Sequence, residues 1–112
     1  MSTTKFSNPY KYTDSIEELQ THMHDKTVIM FTAEWCGPCK SIKPLIKAFK
    51  EGNPSINVHF INIDEFPLAN SEATQNIKSV PTFRFFKNGK QVAECMGANM
   101  ANFRSNVTRH FT

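Results

Sequence analysis

Cys36 and Cys39 are the residues of this 112-residue chain best placed to do chemistry. They stand in Trp35-Cys36-Gly37-Pro38-Cys39-Lys40, directly after a continuous apolar, β-branched-rich run from Thr27 to Ala33 (TVIMFTA). Directly after them, Ile42, Leu45, Ile46 and Phe49 recur at helical spacing. A buried strand therefore gives way to a helix at the cysteines. Two thiols at i and i+3 of a helix start share one side of the first turn, close enough to bridge, and the first meets the positive end of the helix dipole. Because thiolate is the attacking species, this predicts Cys36 as a nucleophile of lowered pKa and Cys39, deeper in the turn, as the resolving thiol. Pro38 suits an early helical position, where its missing N–H is no loss. Cys95 falls outside the motif on the last, edge strand. A free cysteine is usually a small buried hydrophobe; the alternative is an accessory thiol open to glutathionylation or intermolecular pairing.

Composition removes other classes. Length allows one core, so a single domain over residues 1–112 is expected, with residues 1–9 as a loosely ordered extension. Apolar residues at 39% and charged residues at 21% keep the chain away from the disordered corner. A net charge of +3, scattered along the chain, makes no nucleic-acid footprint. Three cysteines are too few for a disulfide scaffold and cannot all pair within one chain. The first residues, MSTTKFSNPYKYTD, carry no apolar signal region, and no stretch reaches the roughly 18 apolar residues of a membrane span. A cytoplasmic protein, off the membrane, is the expectation. No metal site is expected either. His22 and His24 point to different sides of a helix, and His59 and His110 are isolated, so all four read as solvated or packed.

The elements that must hold the motif follow from the pattern. Asp14 or Ser15 can cap a first helix through about His24, with Ile16, Leu19 and Met23 on one face. The helix from Cys36 to about Glu51 places lysines 40, 43, 47 and 50 on its wet face; Pro44 inside it predicts a kink rather than an end. Lys40, beside the motif, can help hold a thiolate or an acidic target. Asn57 to Ile63 reads as a second inner strand, broken by Asp64 to Pro67, and a short helix from about Leu68 to Asn76 fits next. Thr82 to Lys87, Asn88-Gly89 and Gln91 to Met96 give the strongest hairpin signal, with a type I′ turn. Alternation sets Phe83 and Phe85 on one face and Phe86 on the other, as packing residues. Asn99 can cap a last helix carrying Phe103, Val107 and Phe111. Helices between strands imply parallel pairing and the hairpin antiparallel pairing, hence an α/β fold with a mixed sheet and helices on both faces.

From about Ser15 onward the chain resembles the thioredoxin family. The likeness rests on FTAEWCGPCK, on Pro44 at the family's helix kink, on Asp64, on Val80-Pro81-Thr82 before the hairpin and on Gly97. It implies a thioredoxin fold of five strands, in the spatial order first, third, second, fourth, fifth, with four helices. It also implies a cis peptide between Val80 and Pro81 packed against a Cys36–Cys39 disulfide. Trp35, Gly37, Pro38 and Pro81 support the motif. Trp35, Val80, Pro81, Met96, Gly97 and Ala98 form a flat apolar docking surface. The activity implied is reduction of protein disulfides by a monomer without a bound cofactor or metal, serving cell redox homeostasis. Electrons come from NADPH through a flavoprotein thioredoxin reductase. Targets implied are of peroxiredoxin, methionine sulfoxide reductase or ribonucleotide reductase type. Gly-Pro between the cysteines resembles the reducing members, against the alternatives of a dithiol oxidase or isomerase and of a thioredoxin-like binding module.

One position departs from the family. Where many members carry a buried aspartate, this chain has Met30, and Phe60 replaces a lysine near it. The neighbourhood is expected to be wholly apolar, so that Cys39 keeps a high pKa and mixed disulfides are released slowly. The alternative is that Met30 is core filler and water or the leaving thiolate takes the proton.

Overall fold

The structure is a computed structural model, and it describes residues 25–65 and 74–112. Within these, the order is β1 (Thr27–Thr32), α1 (Gly37–Gly52), β2 (Asn57–Asn62), β3 (Thr82–Lys87), β4 (Lys90–Met96) and α2 (Met100–Phe111). The strands form one mixed sheet in the order β2-β1-β3-β4. β1 pairs in parallel with β2 and antiparallel with β3, and all six of its residues are buried, as a run without polar alternation requires.

Four strands and two helices are thus described, not the five and four expected. The strand order agrees with the expected third, second, fourth and fifth strands. The first strand, the helix from Asp14 to His24 and residues 1–9 lie outside the described residues, as does most of the helix expected from Leu68. That helix cannot run to Asn76: residues 75–78 are irregular, and Asn76 has a φ of 63°, a left-handed value that no α-helix accommodates. The two described helices pack on the same face of the sheet. Ile42, Ile46 and Phe49 of α1 join Phe103 and Phe111 of α2 over Val28, Met30, Val58, Phe60, Phe83 and Phe85. Phe103 is the hub, its ring centroid 5.0 Å from Phe49, 5.2 Å from Phe83 and 5.5 Å from Phe85. Burying one such ring contributes about 1.5–3 kcal/mol. The second face carries Ile29, Phe31, Ile61 and Phe86, as the alternation requires.

Local signals set the ends of these elements. Asn88 and Gly89 have φ values of 56° and 81°, the pair of positive angles of a type I′ turn. Between Phe85 and Phe86 the β3–β4 register slips, so that Phe85 faces Ala93 and Phe86 faces Gln91, leaving Val92 as the extra residue of a bulge. The Asn99 side chain accepts from the Asn102 N–H at 3.0 Å and caps α2. α1 continues through Pro44. Its last turn is closed by Asn53, whose backbone N–H donates to the Lys50 carbonyl (3.1 Å) and whose Nδ2 donates to the Phe49 carbonyl (2.9 Å), while Lys50 Nζ donates to the loop carbonyls of Pro54 (3.1 Å) and Ile56 (2.8 Å).

Candidate active site

Register brings the chemistry to one end of the sheet. Thr32, the last residue of β1, lies beside Asn62, the last of β2; Phe31 lies beside Thr82, the first of β3; and Thr82 lies beside Met96, the last of β4. The segments that leave or enter these strands therefore meet there: 33–39, 63–65, 79–81 and 97–99.

Cys36 is the N-cap of α1, with extended backbone (φ −89°, ψ 104°), and Pro38 sits in the first turn. Its Sγ accepts a hydrogen bond from the Cys39 N–H at 3.0 Å, so the sulfur does the work that a serine or aspartate oxygen does at other helix starts. No acidic residue occupies the first turn to oppose a negative sulfur. Cys36 and Cys39 form a disulfide with their Cα atoms 5.3 Å apart. Cys36 is 4% exposed and Cys39 wholly buried. The bond thus lies at the positive end of the helix dipole.

Around the pair the expected residues divide. The Val80–Pro81 peptide is cis. Pro81 is buried rather than part of an open surface, because its carbonyl accepts from the Gly97 N–H at 2.8 Å and draws the segment in. Val80 is half-buried and packs on the cluster that contains both cysteines. Trp35 and Met96 are exposed large apolar residues, and Gly97 and Ala98 are exposed beside Met96. Among the described residues, nothing bonds the Val80 N–H or C=O. Gly37 and Lys40 are exposed.

Sequence reasoning missed what holds these pieces. Trp35 Nε1–H donates to Asp64 Oδ2 at 2.9 Å, across 29 residues, and Asn62 Oδ1 accepts from the Asp64 N–H at 2.9 Å to set that carboxylate. The Ser79 hydroxyl donates to Met96 Sδ at 3.7 Å, linking the segment before Pro81 to the end of β4. Arg84 reaches from β3 to Glu94 Oε2 at 2.8 Å and toward the Asn76 carbonyl. Asp64 stood out in the sequence without a partner; nothing local marks Ser79 or Arg84.

Behind the disulfide, Met30, Phe60 and Phe83 are adjacent across the three strands and fully buried. The expectation of a wholly apolar neighbourhood needs one correction: Lys43 Nζ of α1 lies 5.4 Å from the centre of the Phe60 ring, a cation on an aromatic face. Cys95 packs half-buried on the α1 and α2 face, and its thiol is pushed up from the ordinary value, first by burial and then by the charge of Glu94. Among the described residues no group of three His, Cys, Asp or Glu side chains could hold a metal ion, and His59 is buried in the sheet. No described helix is long and apolar enough to cross a membrane.

A bridged Cys-X-X-Cys that caps a helix, at the end of a mixed sheet and in one cluster with a half-buried valine that precedes a cis-proline, defines the class of dithiol–disulfide exchange proteins. The thioredoxin family model matches residues 5–109, and the chain belongs to that family. It is similar to Thioredoxin-3 of Dictyostelium discoideum, with 39% identity over 94 residues, 83% of this chain and 88% of that one. The structure of Fasciola hepatica thioredoxin superposes with a TM-score of 0.75 at 32% identity, covering 85% of this chain and 90% of that one. A structure on the thiol resolving mechanism in yeast mitochondrial 1-Cys peroxiredoxin via glutathione/thioredoxin systems superposes with a TM-score of 0.79 at 25% identity, covering 89% and 94%. The chain is a thiol–disulfide oxidoreductase with protein-disulfide reductase activity.

Proposed function

We propose that Cys36 attacks and Cys39 resolves, and that targets dock on Trp35, Val80, Met96, Gly97 and Ala98, with the buried Pro81 fixing the Val80 backbone through the cis peptide. The observation that carries the reading is the cysteine N-cap: Cys36 Sγ accepts the Cys39 N–H at the positive end of a 16-residue helix. The Cys36 thiolate attacks one sulfur of the target disulfide; that S–S bond breaks, a mixed disulfide forms, and the leaving thiolate takes a proton. Cys39 then loses its proton and attacks Cys36 Sγ, releasing the second target thiol and leaving the Cys36–Cys39 bond. Two electrons have passed to the target.

Docking follows from the backbone. Among the described residues nothing pairs with the Val80 N–H and C=O, and an extended target segment needs such groups for strand-like pairing. Trp35, tied to Asp64, and Met96 supply apolar area on either side. Electrons are returned from NADPH by a flavoprotein thioredoxin reductase, with no cofactor held by this chain. Peroxiredoxins are the first target class to try, given the structural neighbour on a 1-Cys peroxiredoxin; methionine sulfoxide reductase and ribonucleotide reductase types follow. The chain acts as one domain and as a monomer. A reducing compartment, the cytoplasm first, suits a half-buried cysteine left unpaired.

Insulin reduction driven by NADPH and a thioredoxin reductase tests the reading. Cys36→Ser falls to the uncatalysed rate; retained activity in that variant refutes the assignment.

A further inference from the structure

Among the described methionines only Met96 is open to solvent. Met30 is fully buried and Met100 is half-buried against the α1 and α2 face, whereas Met96 is 58% exposed at the very end of β4. The residue after it, Gly97, is itself exposed, with a φ of +93° and open space where a Cβ would stand. Met96 also borders a groove of about 430 Å³ lined by Asn76, Ile77, Lys78, Thr82, Arg84 and Glu94. Its sulfur already accepts the Ser79 hydroxyl at 3.7 Å, and Ser79 lies two residues before the cis-proline. A thioether is a weak acceptor; a sulfoxide oxygen is a strong one.

We propose that Met96 is a peroxide-sensitive methionine whose conversion to the sulfoxide weakens docking of protein disulfides without altering the exchange step at Cys36 and Cys39. The inference rests on the docking surface proposed above. In the reaction the Met96 sulfur lone pair attacks one oxygen of hydrogen peroxide and the O–O bond breaks. Sulfur is oxidised by two electrons, the other oxygen collects both protons, and water leaves. The new S–O group changes two things at once. An apolar anchor becomes polar and must be desolvated when a target covers it. Its oxygen also stands beside the Ser79 hydroxyl, where a stronger bond clamps the segment before Pro81 to the end of β4 and narrows the approach to the Val80 backbone. The disulfide-bonded sulfurs, 4% and 0% exposed by residue, are shielded while Met96 is not.

The experiment uses the full chain carrying Cys95→Ser, with the disulfide formed. It is treated with hydrogen peroxide, freed of peroxide and mapped by peptide mass spectrometry. The treated protein is then reduced with dithiothreitol, desalted and mixed with insulin or with a small aromatic disulfide under single-turnover conditions. Met96 gains one oxygen before Met30 and Met100 do. The rate constant with insulin then falls about three- to tenfold, the size expected for one lost apolar anchor, while the rate with the small disulfide is unchanged. Met96→Leu, treated in the same way, keeps its insulin rate. Oxidation of Met30 or Met100 ahead of Met96, an unchanged insulin rate, or an equal loss in treated Met96→Leu each overturns the proposal. Trp35→Ala run alongside separates the two readings. If it slows insulin and oxidation does not, the docking surface stands and the role of Met96 falls; if neither slows insulin, the surface itself is misplaced and the proposal falls with it.

Discussion

Cys36 and Cys95 belong to the same chain and pack on the same apolar cluster, yet they stand in opposite situations. Cys95 is the more exposed, half-buried in a strand at the sheet's edge, while Cys36 is only 4% exposed. Ranked by access alone, Cys95 would be the reactive thiol. Under the proposed assignment, local electrostatics reverse the order. Cys36 Sγ takes the Cys39 N–H at a helix start with no acidic residue in its first turn, and a thiol partner lies within bridging distance. Cys95 has Glu94 as its neighbour, and both burial and that carboxylate hold its proton on. A cysteine's use is thus set by which backbone dipoles and charges face its sulfur, more than by how much of it water touches.

Removing thiols one at a time is the severest way to break this contrast. Cys39→Ser stops insulin reduction after a single exchange and leaves the target bound to Cys36 as a mixed disulfide, visible as a reductant-sensitive band of added mass. Cys95→Ser turns over within about twofold of the parent, in keeping with a substitution that touches no reacting atom. If Cys95→Ser were as damaging as Cys39→Ser, the division of the three cysteines into a working pair and a packed single thiol would be wrong.

A smaller effect sharpens what lies behind the pair. Met30 is fully buried between Phe60 and Phe83, so no strand neighbour offers a carboxylate a hydrogen bond from its side chain. Met30→Asp therefore destabilises the fold by about 3 kcal/mol, read from the urea midpoint. The same variant supplies a base near Cys39 and raises the rate at which Cys39 resolves a mixed disulfide. A stability loss with no change in that rate would make Met30 core filler and leave the proton to water or the leaving thiolate.

Much of the site is written in local sequence, and the rest is written in pairs of distant residues. Asn88-Gly89 and Asn99 carry their structural meaning in their own side chains or φ preferences, and each sits where the pattern put it. The cysteine pair, Pro38 and the buried strand before them are equally local. Trp35 finding Asp64, Ser79 finding Met96 and Arg84 finding Glu94 depend on which strand ends the sheet brings together. The β4 bulge had no cue in QVAECM, since either register keeps an alternating pattern plausible over so short a strand. Asn76 shows the reverse failure: residues 68–76 pass as a helix by composition, while the backbone ends with an asparagine in the left-handed region, which asparagine tolerates better than most residues.

The finest test addresses Cys95 alone, because in the oxidised protein Cys36 and Cys39 are bonded to each other and Cys95 is the one thiol left of the chain's three. The ordinary value for a cysteine thiol is near 9.0, and in the fold Cys95 titrates higher. Above pH 9 the folded chain therefore holds a proton that the unfolded chain has released. The contribution to stability is fully present below that pH and is lost as pH rises through the folded value. Alkylation of the folded, oxidised protein with iodoacetamide should quicken as pH rises and level off only above pH 9, and adding salt should move the inflection little. Salt screens the Glu94 charge, the smaller cause, and leaves burial, the larger one, untouched. An inflection that collapses toward 9.0 in high salt would make Glu94 the dominant cause. One at or below 9.0 in any salt would return Cys95 to the ordinary range and erase the electrostatic half of its difference from Cys36.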